Sequence, residues 1–255
     1  MKLVGVPDTC CGESPASWLT RAALSQAVNL PSLKSHLGVP TRCDPDITVF
    51  GGAICKISRV SGLPASSFAL AEHIFAGLRS LDPLGHNFLL WTECRKARYR
   101  YCPLCLEEPG CKFFPLHWRF KAWRWCPVHD CLLEDVCAHC SAPVTLPDTM
   151  INAGPDKQGV ATLQYCLQCA NPLSSGLGKI FHPVADDLLT SAERVFLMNG
   201  RAVLAALLHR SVYSDQSDKR RPLAYLETMR KFGVLPHEYF EIPSSLLERR
   251  FSQRF

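Results

Sequence analysis

Long hydrophobic runs are missing from this chain of 255 residues. A membrane-spanning helix needs about 20 consecutive apolar residues, and no uncharged apolar stretch of the sequence approaches that length. The opening segment, MKLVGVPDTCCGESP, carries one lysine and lacks the apolar core of a secretory signal. Charged residues are also scarce at 20%, which argues against wholesale disorder. We therefore expect a folded, cytoplasmic protein that does not enter a membrane.

Sequence motifs of common enzymes are absent as well. The chain has no phosphate-binding Gly-Lys-Ser/Thr loop, no Gly-x-Ser-x-Gly and no His-Glu-x-x-His. Its acidic residues are scattered, without the carboxylate cluster of a two-metal nuclease. These absences favour a binding or adaptor protein over an enzyme. A thiol-dependent enzyme is the alternative that a cysteine-rich chain leaves open.

Cysteine, by contrast, is abundant, with 14 residues. Cytosolic thiols stay reduced, so metal ligation is a better explanation than a disulfide framework. Four pairs of Cys or His, each with two intervening residues, stand out: Cys102 with Cys105, Cys126 with His129, Cys137 with Cys140, and Cys166 with Cys169. Zinc takes four such ligands in a tetrahedron. The four pairs therefore predict two bound Zn²⁺ ions.

The pairs can combine in two ways. In the sequential arrangement the first pair joins the second and the third joins the fourth, whereas a cross-braced arrangement joins first with third. We expect the sequential one, because each site then closes a shorter loop. A closed four-ligand site has no open position for water or substrate, so both ions are expected to be structural. Cys111 and His117 are the substitutes if a pair is misassigned, and the other cysteines are expected to be small buried residues.

Helical patterns dominate the rest of the chain. Residues 12–30 predict a helix with Ser14 as N-cap and Pro15 in its first turn. Residues 51–77 predict two short helices around a tight turn at Gly62, which suits either a helix-turn-helix or an ordinary helical hairpin. Further helices are expected over residues 32–37, 186–198, 201–211, 222–232 and 244–251, with a break at Asn199-Gly200 and an exposed loop over 150–162.

These patterns predict a mainly α protein with small zinc-ribbon or knuckle β elements. We expect three regions: an N-terminal helix-turn-helix-like region over residues 1–94, a double zinc-finger region over 95–175, and a C-terminal helical region over 176–255. The net charge of +5 is mild. Residues 95–124, however, carry eight Lys and Arg against two acids, interleaved with aromatic residues. This basic segment predicts contact with a phosphate backbone, which positions a protein without specifying a sequence.

The order of these features resembles the TniQ family of transposition proteins, which includes the TnsD-type target selectors. Gly12 to Arg21 (GESPASWLTR) resembles the family's opening GES-x-x-SWL-x-R. Tyr101 to Leu106 resembles its CPxCL, and Trp123 with the segment from Cys126 to Leu133 resembles its W…CPxHxxxL. The third and fourth metal pairs resemble its closing CxxC pairs. The resemblance covers about residues 10 to 175.

The resemblance implies a non-enzymatic adaptor. Such a protein links a target-site selector, for example an RNA-guided effector complex, to an AAA+ transposition ATPase of the TnsC type. Some members act as homodimers, and TnsD-like members read DNA themselves. The region around Trp18 would then be an ATPase-contact surface, although packing of the first helix against the core is the preferred explanation for the Trp18 side chain itself. The alternative function is an autonomous, sequence-specific DNA-binding regulator.

The residues expected to contact nucleic acid or a protein partner lie in four places. Trp18 belongs to the opening motif, and two serines lie at the start of the second helix after the tight turn. The basic residues lie in the basic segment over 95–124 and in a second stretch over 219–221. The full set is Trp18, Ser66, Ser67, Arg95, Lys96, Arg98, Arg100, Arg119, Lys121, Arg124, Lys219, Arg220 and Arg221.

Overall fold

The computed structural model describes residues 3–129, 131–149, 151–153, 159–160, 162–175, 191–214 and 219–231. Within them the chain is mainly helical, as the sequence predicts. The helices are α1 (Pro15–Ser25), α2 (Leu30–Leu37), α3 (Pro45–Thr48), α4 (Gly52–Ser61), α5 (Ala69–Leu81), α6 (Pro103–Glu107), α7 (Ser191–His209) and α8 (Tyr225–Lys231). None of the described helices combines the length and the apolar character that crossing a membrane requires.

The strands are short and form antiparallel pairs. They are β1 (Trp125–Cys126) with β2 (Cys131–Leu132), β3 (Ile151–Ala153) with β4 (Gly159–Val160), and β5 (Ser211–Ser214) with β6 (Lys219–Pro222). The β3–β4 pair lies inside the predicted loop over 150–162, so that prediction is wrong for these five residues. Strands this short have little stability of their own. They therefore need packing against the rest of the fold.

Helix α1 begins as its sequence predicts. Ser14 is the N-cap, and its side chain accepts a hydrogen bond from the Ser17 amide, with Pro15 in the first turn. The helix ends at Ser25, five residues before the predicted end. Ala27, inside the predicted range, takes a left-handed φ of 54° and is exposed. The short helix expected over 32–37 is present as α2, and Gly38 ends it with a φ of 72°.

Two helices flank the tight turn in the N-terminal region. Gly62 is the C-cap of α4 and has a left-handed φ of 80°, which suits glycine. A 3-10 turn over Ala65–Phe68 then leads into α5. The two predicted helices are therefore present. Their geometry is shared by a helical hairpin, so a DNA-binding role for them stays a prediction.

The buried residues form two clusters. The smaller one surrounds Trp18 and joins α1, α2, α4 and Phe68. The larger one runs from α5 through the basic segment and both groups of metal ligands to α7 and α8. The region boundaries after residues 94 and 175 stay predictions. The larger cluster is continuous across both of them.

Helix α7 continues through Asn199 and Gly200 without the predicted break. A Cβ added to Gly200 would lie 2.9 Å from the Ala122 carbonyl oxygen and 2.9 Å from the Trp123 Cα. The glycine is therefore explained by close packing of α7 on the basic segment, not by a chain turn. The helix expected over 222–232 is present as α8, whereas residues 186–190 and 244–251 lie outside the described residues.

Helices α5 and α7 cross at Gly77, and this crossing yields a stability prediction. A Cβ at Gly77 would overlap the Leu207 carbonyl oxygen and lie 3.1 Å from its carbonyl carbon. We expect Gly77→Ala to destabilise the fold. The added methyl group costs about 1–3 kcal/mol through overpacking, which exceeds the gain of about 1 kcal/mol from the higher helix propensity of alanine. Urea unfolding of the metal-loaded protein measures the change.

Gly52→Ala is the matched control for this prediction. Gly52 is also helical, and a Cβ there meets nothing within 4 Å. This substitution should leave stability unchanged or raise it slightly. Equal unfolding midpoints for the two variants would contradict the close approach of α5 and α7.

Candidate metal centres and the basic segment

The first candidate metal centre brings together Cys102, Cys105, Cys126 and His129. Cys102 is the N-cap of α6, and its sulfur accepts a hydrogen bond from the Cys105 amide at 3.4 Å. Cys126 ends β1, and His129 lies in the turn before β2. The α6 start and the β1–β2 hairpin thus each contribute one predicted pair.

The spacing of these donor atoms matches a tetrahedral site. Sulfur and nitrogen ligands at zinc's usual bond lengths lie about 3.8 Å (S···S) and about 3.5 Å (S···N) apart. The Cys105 sulfur is 3.5 Å from the Cys126 sulfur and 3.3 Å from the His129 Nδ1. The His129 Nδ1 is also 3.6 Å from the Cys102 sulfur and 3.7 Å from the Cys126 sulfur. The four residues therefore fit one metal ion.

The histidine ligand is oriented by an acidic neighbour. Nδ1 of His129 faces the sulfurs, and its Nε2 is 3.2 Å from the Glu108 carboxylate. Metal-binding histidines commonly donate their second ring N–H to a carboxylate, which fixes the tautomer and raises the basicity of the ligand atom. Glu108 is thus positioned to support His129 from outside the ligand shell, and sequence spacing gave no signal for it.

A fifth cysteine lies against the first centre. Cys131 is fully buried in β2, and its sulfur is 3.5 Å from that of Cys102. It does not belong to the group of mutually close donors. The predicted substitutes lie elsewhere: Cys111 is exposed, and the His117 ring packs on Trp123 with centroids 4.6 Å apart. As a replacement for one of the four donors of the first centre, the structure favours Cys131 over Cys111 and His117, the two residues predicted from sequence.

The second candidate centre combines Cys137, Cys140, Cys166 and Cys169. The sulfurs of Cys137 and Cys169 are 3.7 Å apart, as are those of Cys140 and Cys166. Both distances match the tetrahedral S···S edge of about 3.8 Å. Four thiolates around one point suit a soft or borderline divalent ion such as zinc.

The two halves of the second centre repeat one backbone motif. After each CxxC pair comes a residue with a left-handed φ, Ser141 at 58° and Ala170 at 55°. Its amide donates to the carbonyl of the first cysteine of the pair, at 2.8 Å in one half and 2.9 Å in the other. This turn folds the chain back so that both thiols of a pair point to the same side.

Both groups follow the sequential arrangement, not the cross-braced one. First and second pairs share one centre, and third and fourth pairs share the other. Each centre uses four protein donors and can hold one metal ion. An ion bound by all four donors would have no open position for substrate.

The opening motif is buried and polar. Glu13 accepts from the Ser17 hydroxyl at 2.8 Å and forms an ion pair with Arg21 at 3.0 Å. The Ser17 hydroxyl in turn accepts from the Phe114 amide at 2.9 Å. Burial raises the pKa of Glu13, and the Arg21 guanidinium opposes that shift. This network ties α1 to the basic segment.

Trp18 of the same motif has no exposed surface. Its indole N–H donates to the Pro7 carbonyl at 2.9 Å, and its ring meets Phe68 edge-on with centroids 5.2 Å apart. The side chain therefore packs α1 against the core. It cannot offer its ring to a partner unless α1 moves.

Two arginines of the basic segment are buried as well, so the structure does not present them to a phosphate backbone. Arg119 has no exposed surface and forms ion pairs with Asp44 and Asp46 of the α3 region. Asp46 also accepts from the Tyr99 hydroxyl at 2.6 Å. Burial raises the pKa of Asp46 to about 6, Asp44 adds to the rise, and Arg119 lowers it. Arg119 thus holds α3 to the basic segment.

Arg100 is held in a similar way. Its side chain is 4% exposed, and its Nε donates to Asp135 at 2.8 Å. One of its Nη atoms donates to the carbonyls of Lys121 and Trp123 at 2.8 and 2.9 Å. Half-buried Arg98 binds the same Asp135 carboxylate at 2.8 Å. These contacts occupy the guanidinium groups that the charge pattern assigned to nucleic acid.

The remaining predicted contact residues are accessible where their side chains are described. Lys121 donates to the His86 carbonyl at 2.7 Å, and Arg221 lies over the Tyr225 ring at 5.8 Å. Lys219 is described only as part of β6. The exposed or half-exposed residues are Ser66, Ser67, Arg95, Lys96, Lys121, Arg124, Arg220 and Arg221.

The ligand assignment predicts the metal content of two variants. We expect purified Cys126→Ser to hold one metal ion fewer than the unaltered chain, because the first centre loses a ligand. Cys131→Ser should keep the full content, because Cys131 is outside the ligand group. Elemental analysis of the purified proteins measures both, and a loss in Cys131→Ser equal to that in Cys126→Ser would contradict the assignment.

Arg119 predicts a contrast between two arginines of one segment. Arg119→Ala leaves the carboxylates of Asp44 and Asp46 buried without their cation, and removal of one partner from a buried pair costs about 3–5 kcal/mol. Arg124→Ala alters an exposed side chain and should stay within about 0.5 kcal/mol. Urea unfolding compares the two. Similar small losses for both would show that Arg119 is not the structural cation described here.

The comparisons with known proteins agree with the sequence resemblance. The chain has no match among the curated proteins with which it was compared. The TniQ family model matches residues 5–133, which include the opening motif, the buried Arg119 network and the whole first centre. The match covers half of the chain, and the family comprises non-catalytic accessory proteins of DNA transposition. The chain belongs to the TniQ family.

Proposed function

We propose that this protein is a non-enzymatic adaptor in DNA transposition, which links a target-site selector to an AAA+ ATPase of the TnsC type. The observation that carries the proposal is the family match over residues 5–133. We propose that the selector is an RNA-guided effector complex or the target DNA itself. We further propose that both metal ions are structural Zn²⁺, because thiolate and imidazole donors at tetrahedral spacing suit zinc.

The packing of the matched region supports an adaptor role. Glu13, Ser17 and Arg119 use their polar groups inside the chain, where they join α1 and α3 to the basic segment. These three residues of the family-matched region therefore hold parts of the fold together and do not form a reaction site. Lys121 and Arg124 are exposed and come shortly before Cys126 of the first centre in the chain.

An autonomous, sequence-specific DNA-binding regulator is the second candidate, favoured by the α4–α5 turn. Helix α5 is covered on one side by α7 through Gly77. Phosphate contacts from Lys and Arg supply much of the affinity for DNA, and the most exposed residues of α5, His73 and Ser80, are neither. Arg79, the one Lys or Arg of α5, is half-buried, donates to the Ile47 carbonyl at 2.9 Å and lies over the Phe50 ring. The adaptor function is therefore preferred.

Capture experiments test the proposal. The tagged, metal-loaded chain should retain a TnsC-type ATPase and a target-site selector, and light scattering of the same sample checks for a homodimer. Lys121→Glu with Arg124→Glu should reduce capture of the selector, with the loss greatest at low salt. The control is Lys56→Glu with Arg59→Glu on α4, which should capture normally.

Two results would contradict the adaptor. One is retention of neither the ATPase nor the selector by a folded, metal-loaded chain. The other is tight binding to one DNA sequence, altered by substitution of Ser66 or Ser67, by a chain that does not retain the ATPase, which would establish the regulator instead.

A further inference from the structure

A cleft of about 670 Å³ lies between the N-terminal helices and the second metal centre. Its lining includes Thr20 of α1, Leu30 of α2 and Trp91. Leu167 and Gln168 line it as well. These two are the residues between the metal ligands Cys166 and Cys169, so the second centre builds one wall of the cleft.

The cleft carries an excess of positive charge. Lys34, Arg42, Arg95 and Lys96 line it together with two acids, Asp44 and Asp148. Asp44 is only 4% exposed and is paired with Arg119. The Asp148 carboxylate lies 3.9 Å from the Lys96 ammonium, so it offsets one cation. Lys34 is buried, and its ammonium donates to the Thr41 and Cys43 carbonyls at 2.8 and 2.7 Å. Arg42 and Arg95 are exposed and leave the cleft suited to a ligand with more than one negative charge.

An aromatic pair lies at the same cleft. The half-buried Trp91 ring is 5.2 Å from that of the exposed His86, and both residues line the cleft. Arg119, which is fully buried, lies over the Trp91 ring at 4.9 Å. The Trp91 ring thus contacts a buried cation and also lines the cleft. A flat, partly exposed indole beside several cations is the combination that stacks a nucleobase and holds its phosphates.

We propose that this cleft binds a single strand of nucleic acid, with one base stacked on Trp91 and the flanking phosphates at Arg42, Arg95 and Lys96. A duplex does not fit this arrangement, because its bases are paired and stacked and reach a protein ring only after unpairing. An acidic peptide would satisfy the charges but has no flat group for the indole. The proposal goes beyond the adaptor function, since capture of the ATPase does not require it.

The second metal centre is expected to control this site. The Leu30 amide donates to the Asp148 carbonyl at 2.9 Å across the cleft, and Thr145 to Asp148 follow the Cys137–Cys140 pair. Loss of the ion would release both Leu167–Gln168 and this hydrogen-bonded segment. The binding of a strand should therefore depend on the metal even though the metal does not touch the strand.

Fluorescence anisotropy with labelled oligothymidylate and oligouridylate of equal length tests the proposal on the full, metal-loaded chain. We expect both strands to bind more tightly than a duplex of equal length. Trp91→Leu should weaken binding about 5- to 150-fold, the range that stacking one base supports, whereas Trp91→Phe should keep most of it. Tighter binding of either oligonucleotide supports the site and identifies the strand as DNA or RNA.

Salt dependence tests the phosphate contacts separately. Each phosphate contact to a single strand contributes about 0.7 to the slope of log K against log salt. Arg95→Gln with Lys96→Gln should therefore reduce the slope by about 1.4, and Lys56→Gln with Arg59→Gln on α4 should leave it unchanged. Cys166→Ser should lose strand binding together with one metal ion.

Three results would overturn the proposal. The first is equal affinity for the duplex and the single strands. The second is unchanged affinity in Trp91→Leu and an unchanged slope in the Arg95 and Lys96 variant. The third is displacement of the strand by polyglutamate at lower concentration than by unlabelled oligothymidylate, which would reassign the cleft to an acidic peptide. None of these results bears on capture of the ATPase, so the adaptor proposal stands or falls separately.

Discussion

Four donor atoms converge at each metal centre, and the chain between them has almost no regular structure to bring them there. β1 and β2 have two residues each, and α6 has five. Elements of this size do not fold alone in water. Metal binding can supply the missing free energy, because a site that exists only in the folded state adds its binding energy to folding. Leu167, which lines the cleft, and Trp123, on which α7 packs at Gly200, both lie in the chain segments that carry these donors.

In the N-terminal part, buried polar groups connect the elements of the fold. Glu13 and Ser17 connect α1 to the segment around Phe114, and Arg119 connects that segment to α3. Breaking one member of such a network leaves another charge or donor buried without its partner, which costs more than an exposed contact is worth. The opening motif and the basic segment are therefore better explained as parts of one framework than as separate contact surfaces.

The metal ligands could be read from the sequence because their spacing is local, with two residues between the members of each pair. The sequential grouping followed from loop length, and the geometry confirms it. Burial could not be read in the same way. Arg100 and Arg119 look like surface cations, but their acidic partners lie 35 to 75 positions away in the chain. The sequence around Gly200 likewise predicts a helix break. The contact that explains the glycine, close packing on Trp123, is made by a residue that is distant in sequence.

X-ray absorption at the zinc edge of the purified, full-length protein tests the central claim, that two closed structural centres hold this framework together. The account predicts two ions per chain that share seven sulfur donors and one nitrogen donor, since one centre has three cysteines and a histidine and the other four cysteines. Sulfur at about 2.3 Å should then dominate the ligand shell. A shell with a substantial oxygen contribution, or a single bound ion per chain, would contradict it, because at least one centre would then be open or absent.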